Sequence, residues 1–415
     1  MSSQSKVSKP FFFAGILGNI FEHYDTALFG LLAPFIAPLF FPTHSALSAL
    51  ILTYGMLILG IASKPLGALV FGSIGDRFGR KKALSLTLFG MALVTCFMGF
   101  LPTYAQAGGM APVLLCLCRV SQSFFAAGET TGGAILVLEK AGEKQRSFLS
   151  GLYGSSSIIG IFLASFVVMI VARFEESFSY FWRLPFFLGS VCGVCGIYLR
   201  LQIEEPLQPT SKTSIKTHLS ELIKYRAAFF PIMFASGFSY CTYTFSCTLM
   251  NGFLPFVSPI SKQQACSMNT TLLVLDCLLL PVFGLLARRF SKEKLMSIAA
   301  FSLVLFAIPL FTLLEGANWP IAFFVRSVIM TLGVAFAAPY YHWAFEQAPP
   351  SMRYTNMAVA AAVGTQLIGV PSTSLSLLLY QKTGWVGAPA LYLMAVAAYA
   401  GVSVLDVLSS SIRKI

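Results

Sequence analysis

About twelve apolar stretches, each twenty residues or longer, follow one another along the chain with short polar breaks between them: 11–40, 47–71, 84–103, 110–138, 147–172, 182–201, 227–257, 265–287, 295–314, 318–346, 354–381 and 385–408. Roughly 20 apolar residues are what a helix needs to cross the hydrocarbon core of a bilayer. With 56% of its 415 residues hydrophobic and only 11% charged, a soluble fold could not hide so much apolar surface. The chain therefore reads as an all-α polytopic membrane protein. The first stretch carries Glu22 and Asp25 and no small-residue cleavage site follows it, so it is expected to be a retained helix and not a signal peptide.

The net charge of +12 could suggest nucleic acid, but its distribution argues otherwise. The N-terminus, alternate loops and the C-terminus hold 21 of the 28 basic residues, including Arg77, Arg80, Lys81, Lys82, Lys140, Lys144, Arg146, Arg288, Arg289, Lys292, Lys294 and Arg353. The opposite loops hold only Arg173, Lys262 and Lys382. By the positive-inside rule both termini are expected in the cytoplasm, which requires an even number of spans. The basic excess orients the chain and gives no reason to expect a nucleic-acid partner. Nine cysteines, an odd number scattered through apolar spans, argue against a disulfide framework, and Cys192 and Cys195 read as small buried hydrophobes.

Two internal echoes divide the chain. At an offset of 212, Gly72, Arg77, Phe78, Arg80 and Lys82 fall on Gly284, Arg289, Phe290, Lys292 and Lys294. At an offset of 207, Arg119, Glu139 and Arg146 fall on Arg326, Glu346 and Arg353. Both offsets are near half the chain length, which implies six helices repeated twice: a bundle over 1–201, a polar cytoplasmic linker over 202–226 and a second bundle over 227–415. Such an arrangement places a site at the membrane midplane between the halves.

The stretch Gly72 to Lys82 reads G-S-I-G-D-R-F-G-R-K-K, and G-x-x-x-D-R-x-G-R-[RK] between the second and third spans resembles the hallmark loop of the major facilitator superfamily. G-N-I-F-E-H-Y-D (Gly18–Asp25), K-P-L-G-A-L-V-F-G (Lys64–Gly72), R-V-S-Q-S-F-F-A-A-G-E (Arg119–Glu129) and F-W-R-L-P-F (Phe181–Phe186) resemble more narrowly the metabolite:proton symporters, whose members carry proline and betaine or α-ketoglutarate. The resemblance covers most of the chain and is denser in its first half. It implies the major facilitator fold, with the first, fourth, seventh and tenth helices lining the cavity. It departs at His23, where the family usually has Trp, at Lys64, where Arg is usual, and at Ala127, where the first Gly of a G-G-E is usual. No coiled-coil heptads follow the last span, so osmotic regulation by that route is not implied.

Ionisable groups inside a bilayer cost a few kcal/mol each, which makes each a functional candidate. Glu22 and Asp25, three residues apart, approach one face of the first helix. Two carboxyls so close in a low dielectric do not both ionise readily, so with Glu129 they are candidates for carrying a proton, the coupling ion expected in place of any cofactor. Permanent pairing of Glu22 and Asp25 with Lys64 and Arg119 is the structural alternative. Arg119 and Arg326 are expected to face the cavity from opposite halves, where two guanidiniums would suit a carboxylate ligand. The alternative is that each pairs with a neighbouring helix. Lys64, His23 and Tyr243 complete the candidate substrate contacts; Tyr240, Asn251, Tyr340 and Tyr341 could also contact it, or simply pack. Asp276 in the eighth span has no partner evident in sequence, and proton relay and structural pairing both stay open. A charge clasp at the cytoplasmic mouth is expected from Gly72, Asp76, Arg77, Gly79 and Arg80, with Arg146, Glu139, Glu346 and Arg353. Simple topological anchoring would not explain Asp76.

Secondary active transport is the expected function: proton symport of a small organic solute bearing a carboxylate, a proline/betaine-like zwitterion or a small dicarboxylate. Exchange or export by the same fold is the second reading, weakened because the fifth helix lacks the antiporters' proline-containing glycine motif. A membrane-embedded transferase is disfavoured by four scattered histidines and no metal-ligand cluster. The expected setting is the inner membrane of a bacterium, as a lipid-embedded monomer with a small-molecule partner.

Overall fold

The computed structural model describes residues 9–43, 45–78, 80–139, 142–174, 178–201, 224–348 and 353–412. Gly79 and nearly all of the expected linker lie outside the described residues. So do the surroundings of Gly72 and the side chains of Asp76, Arg77, Arg80, Glu129, Glu139 and Arg353.

Every described element is helical, and the helices string together into twelve rods. They are α1 (Lys9–Phe40), α2 (46–78), α3 (Arg80–Phe100), α4 (110–139), α5 (Arg146–Ala172), α6 (Leu184–Leu201), α7 (226–257), α8 (Lys262–Arg289), α9 (Lys292–Thr312), α10 (319–347), α11 (353–383) and α12 (Ala388–Ile412). Eight described helices are long and apolar enough to cross a membrane by length and composition alone. Large apolar side chains such as Phe100, Leu278 and Leu305 are exposed around the bundle. A belt of that extent needs lipid to cover it.

Local chemistry accounts for the boundaries. Ser261 starts α8 with a reciprocal cap: its hydroxyl accepts from the Gln264 amide N–H at 3.2 Å, and the Gln264 side chain accepts from the Ser261 N–H at 2.9 Å. Asn318 caps α10 by accepting from the Ile321 N–H. α11 stops at Gly384, whose φ of +67° only glycine adopts without strain. Several rods are interrupted inside: a 3₁₀ turn at Met56–Leu59 in α2, π turns at Thr244–Leu249 in α7 and Thr365–Gly369 in α11, and Pro339 between the two segments of α10.

Within each half α3 packs on α6 and α9 on α12, while α5 against α8 and α2 against α11 join the halves. Lipid supplies no hydrophobic drive between helices, so close approach of small residues and hydrogen bonds must hold the seam. A Cβ on Gly151 would sit 2.5 Å from the Leu280 carbonyl oxygen, and one on Gly284 2.7 Å from that of Ser147. Between these backbone contacts and the far end, Ser155 Oγ donates to the Cys277 carbonyl at 3.0 Å, and Asn269 Nδ2 donates to Ser165 Oγ at 3.0 Å. The nine cysteines are free thiols.

Candidate functional site

A cavity of about 220 Å³ lies between the halves, walled by α1, α2, α4 and α5 from one and α7, α8, α10 and α11 from the other. Its ionisable lining is Glu22, His23, Lys64 and Asp276, joined by the tyrosines Tyr240, Tyr243, Tyr340 and Tyr341. Glu22 and Lys64 are close enough for their charges to interact directly. His23 Nδ1 lies 2.8 Å from the Asn19 carbonyl. A carbonyl only accepts, so this nitrogen carries the proton and Nε2 is the acceptor in the neutral ring.

Direct contacts between the halves flank the cavity on both sides. At the end carrying the basic loops, Ser147 Oγ on α5 lies 2.6 Å from His342 Nδ1 on α10. His342 Nε2 is 2.7 Å from Glu346 Oε1, and Lys292 Nζ is 2.8 Å from Glu346 Oε2. Arg146 lays its guanidinium over the Phe345 ring, 5.0 Å from its centroid, and its Nε donates to the Leu138 carbonyl. At the opposite end Tyr54 Oη donates to the Thr248 carbonyl at 2.9 Å, Lys262 Nζ to that of Pro34 at 3.2 Å, and Gln381 Nε2 to Ser48 Oγ at 3.0 Å.

Three residues expected at the cavity stand elsewhere. Asp25 points into the first half, where Thr95 Oγ1 donates to its carboxylate, 2.6 Å from either oxygen, and Gln122 Nε2 donates at 3.1 Å. Arg119 reaches this group through Gln122, whose Oε1 accepts from its guanidinium, and stacks over Phe29 at 4.5 Å. Glu22 and Asp25 are thus split between cavity and bundle interior. Three residues of helix leave about 60° between side chains, enough for this division. Arg326 is fully buried: it donates to the carbonyls of Ser246 and Ala265 at 3.0 Å each, to Asn251 Oδ1 at 3.2 Å and to Asn269 Oδ1 at 2.8 Å. In this conformation neither guanidinium lines the cavity. Asn251 likewise faces Arg326 and not the cavity.

The family model described as Major Facilitator Superfamily matches residues 15–373. The chain belongs to the Major Facilitator Superfamily. Among curated proteins it is similar to the proline/betaine transporter of Salmonella typhimurium, 28% identical over 92% of this chain and 80% of that protein. A putative proline/betaine transporter of Staphylococcus aureus is also 28% identical, over 96% of this chain and 87% of the relative. Among solved structures, a D-xylose-proton symporter superposes with a TM-score of 0.72 at 15% identity, covering 94% of this chain and 96% of the other. The human organic anion transporter MFSD10 gives 0.63 at 15% identity over 98% and 99%. At such identities these two speak for the fold alone.

As a major facilitator transporter the chain is a multi-pass integral membrane protein and not an enzyme. Residues at its mouths that sequence reasoning passed over are Ser147, His342, Tyr54 and Thr248. Only His342 carried a signal, its i, i+4 spacing from Glu346. The Ser147 and Thr248 contacts depend on how the halves meet, which no local pattern encodes.

Proposed function

We propose that this protein is a secondary active transporter that carries a small carboxylate-bearing organic solute together with a proton, by rocking the 1–201 and 227–415 halves about the cavity between them. The observation that carries this reading is the placement of Lys64 and Glu22 in a cavity flanked on both sides by contacts between the halves. Lys64 supplies the positive charge that a carboxylate needs, and Glu22 beside it is a group able to exchange a proton. The contacts of Tyr54 with Thr248 and of Ser147 with His342 sit where two alternately opening gates would be needed. The clasp of Gly72 to Lys82 and the Glu346 cluster belong to the basic end, which we place in the cytoplasm by the charge asymmetry, in a bacterial inner membrane.

For the substrate we favour a zwitterion of the proline or betaine kind, on the strength of the relatives' names and the coverage of the match. The test is uptake into proteoliposomes under an imposed inward proton gradient, with labelled proline, betaine and α-ketoglutarate side by side. Accumulation of one of them that collapses with a protonophore is the expected result. Exchange of any of them with no gradient-driven accumulation would refute symport while leaving the fold untouched.

A further inference from the structure

Asp276 on α8 faces the cavity from the second half and is only 6% exposed. Its charge lies close to three side chains, Tyr243 and Cys247 on α7 and Cys277 beside it on α8. All three are ordinarily neutral, and among the described residues Asp276 has no hydrogen bond and no ion pair. Among the described residues, the walls from α4, α5 and α11 add no ionisable side chain, and α10 adds Tyr340 and Tyr341. Arg326, the cation on α10, bonds to Asn269 and Ala265, two turns or more along α8, and its charge is already met by four acceptors. The other ionisable groups described in the lining, tyrosines aside, are Glu22, His23 and Lys64, all on the first half, and Lys64 is the neighbour of Glu22.

An ionised carboxylate at membrane depth with neither counter-ion nor donor is costly, whereas the neutral acid needs only one acceptor or a water. Among the described residues Glu22 and Lys64 offset each other, so their part of the lining is electrically balanced when Asp276 holds a proton. We propose that Asp276 is the site of the coupling proton, so that proton and substrate charge are handled by opposite halves. The proton enters as the O–H of the Asp276 carboxyl from water on one side. It leaves to water on the other once the cavity opens there. This inference rests on the symport reading above and differs from it in naming the carboxyl.

The experiment compares wild type, Asp276→Asn, Asp276→Glu and Glu22→Gln in proteoliposomes, with proline, betaine and α-ketoglutarate as probes. Gradient-driven accumulation, acidification reported by an internal pH dye, and counterflow at equal pH are read together. Asp276→Asn is expected to lower the accumulation ratio to 1 and abolish substrate-dependent acidification, while counterflow continues with its half-saturating concentration within about twofold. Asp276→Glu is expected to restore acidification. Continued acidification in Asp276→Asn alongside its loss in Glu22→Gln would overturn the assignment and move the proton to the first half. Loss of counterflow for proline and betaine alone would overturn it differently, making Asp276 a ligand of the substrate's ammonium group. Loss of all counterflow with an unchanged melting temperature would also refute it. A wild type that runs counterflow but never acidifies would instead sink the symport reading itself.

Discussion

Replacing Gly151 by alanine is expected to wedge the two halves apart at the basic end. The methyl carbon would lie 2.5 Å from the Leu280 carbonyl oxygen, a backbone atom that cannot rotate away. To reach an ordinary 3.4 Å contact, α5 and α8 must part there by about 0.9 Å. Overpacking on this scale costs about 1–3 kcal/mol. That cost falls only on conformations in which the seam is closed, so it shifts the ratio of closed to open by a factor of about 5 to 150. Gly154, one turn along α5, is the internal control: a Cβ there meets Leu280 side-chain carbons at 3.5 and 3.6 Å, an ordinary contact. The assay is the rate at which a charged, membrane-impermeant thiol reagent modifies Ser239→Cys in the cavity wall, applied from the basic side in oriented vesicles. Gly151→Ala should label faster than its parent, and Gly154→Ala should match the parent. Equal rates for all three would show that the seam does not gate the cavity, and the reasoning would fail.

Other consequences are as direct. Arg326→Met leaves the amide oxygens of Asn251 and Asn269 and two carbonyls without their donor; a buried acceptor left unmet costs about 1–3 kcal/mol, so a lower melting temperature in detergent is expected. A melting temperature equal to wild type would contradict that structural role. Tyr54→Phe deletes the bond to the Thr248 carbonyl; leaving that buried acceptor unmet costs about 1–3 kcal/mol and should speed thiol labelling of the cavity from the far side only. Lys64→Gln should raise the half-saturating concentration of carboxylate substrates at least tenfold and Lys64→Arg should restore it, measured by counterflow; unchanged values in both would remove Lys64 from the site.

Length and hydropathy made the spans legible, because lipid leaves a chain with runs like 147–172 or 295–314 little alternative to a helix. The boundary at Ser261 is also written in the sequence, as a four-residue capping pattern, although hydropathy alone begins that span at 265. The echo that pairs Arg119 with Arg326 also has a structural counterpart. Each is buried in its own half and held by amide side chains, Gln122 in one case and Asn251 with Asn269 in the other. Their direction was not legible. A helical position is known from sequence to within a turn, and 60° decides whether Asp25 meets the cavity or Thr95. Asp276 could be recognised as an unpaired acid in a span, but only the packing of α7 and α8 shows that nothing described comes to meet it.

The π turn at Thr244–Leu249 carries more than its six residues suggest. Wider winding skips one rung of the helical ladder and leaves carbonyls unclaimed by their own strand of peptide. Two carbonyls of this segment are taken from outside: Ser246 accepts from Arg326, and Thr248 accepts from Tyr54 of the opposite half. Tyr240 and Tyr243 lie below the segment and face the cavity, while Asn251 lies above it and faces Arg326. Unwinding it to a regular helix, as deletion of one residue would, turns everything beyond by about 100°. Asn251 and the Thr248 carbonyl would then swing off their partners together. A change of pitch over about one and a half turns thus has the geometry to undo a gate and uncover a cation at once, without the rod as a whole moving.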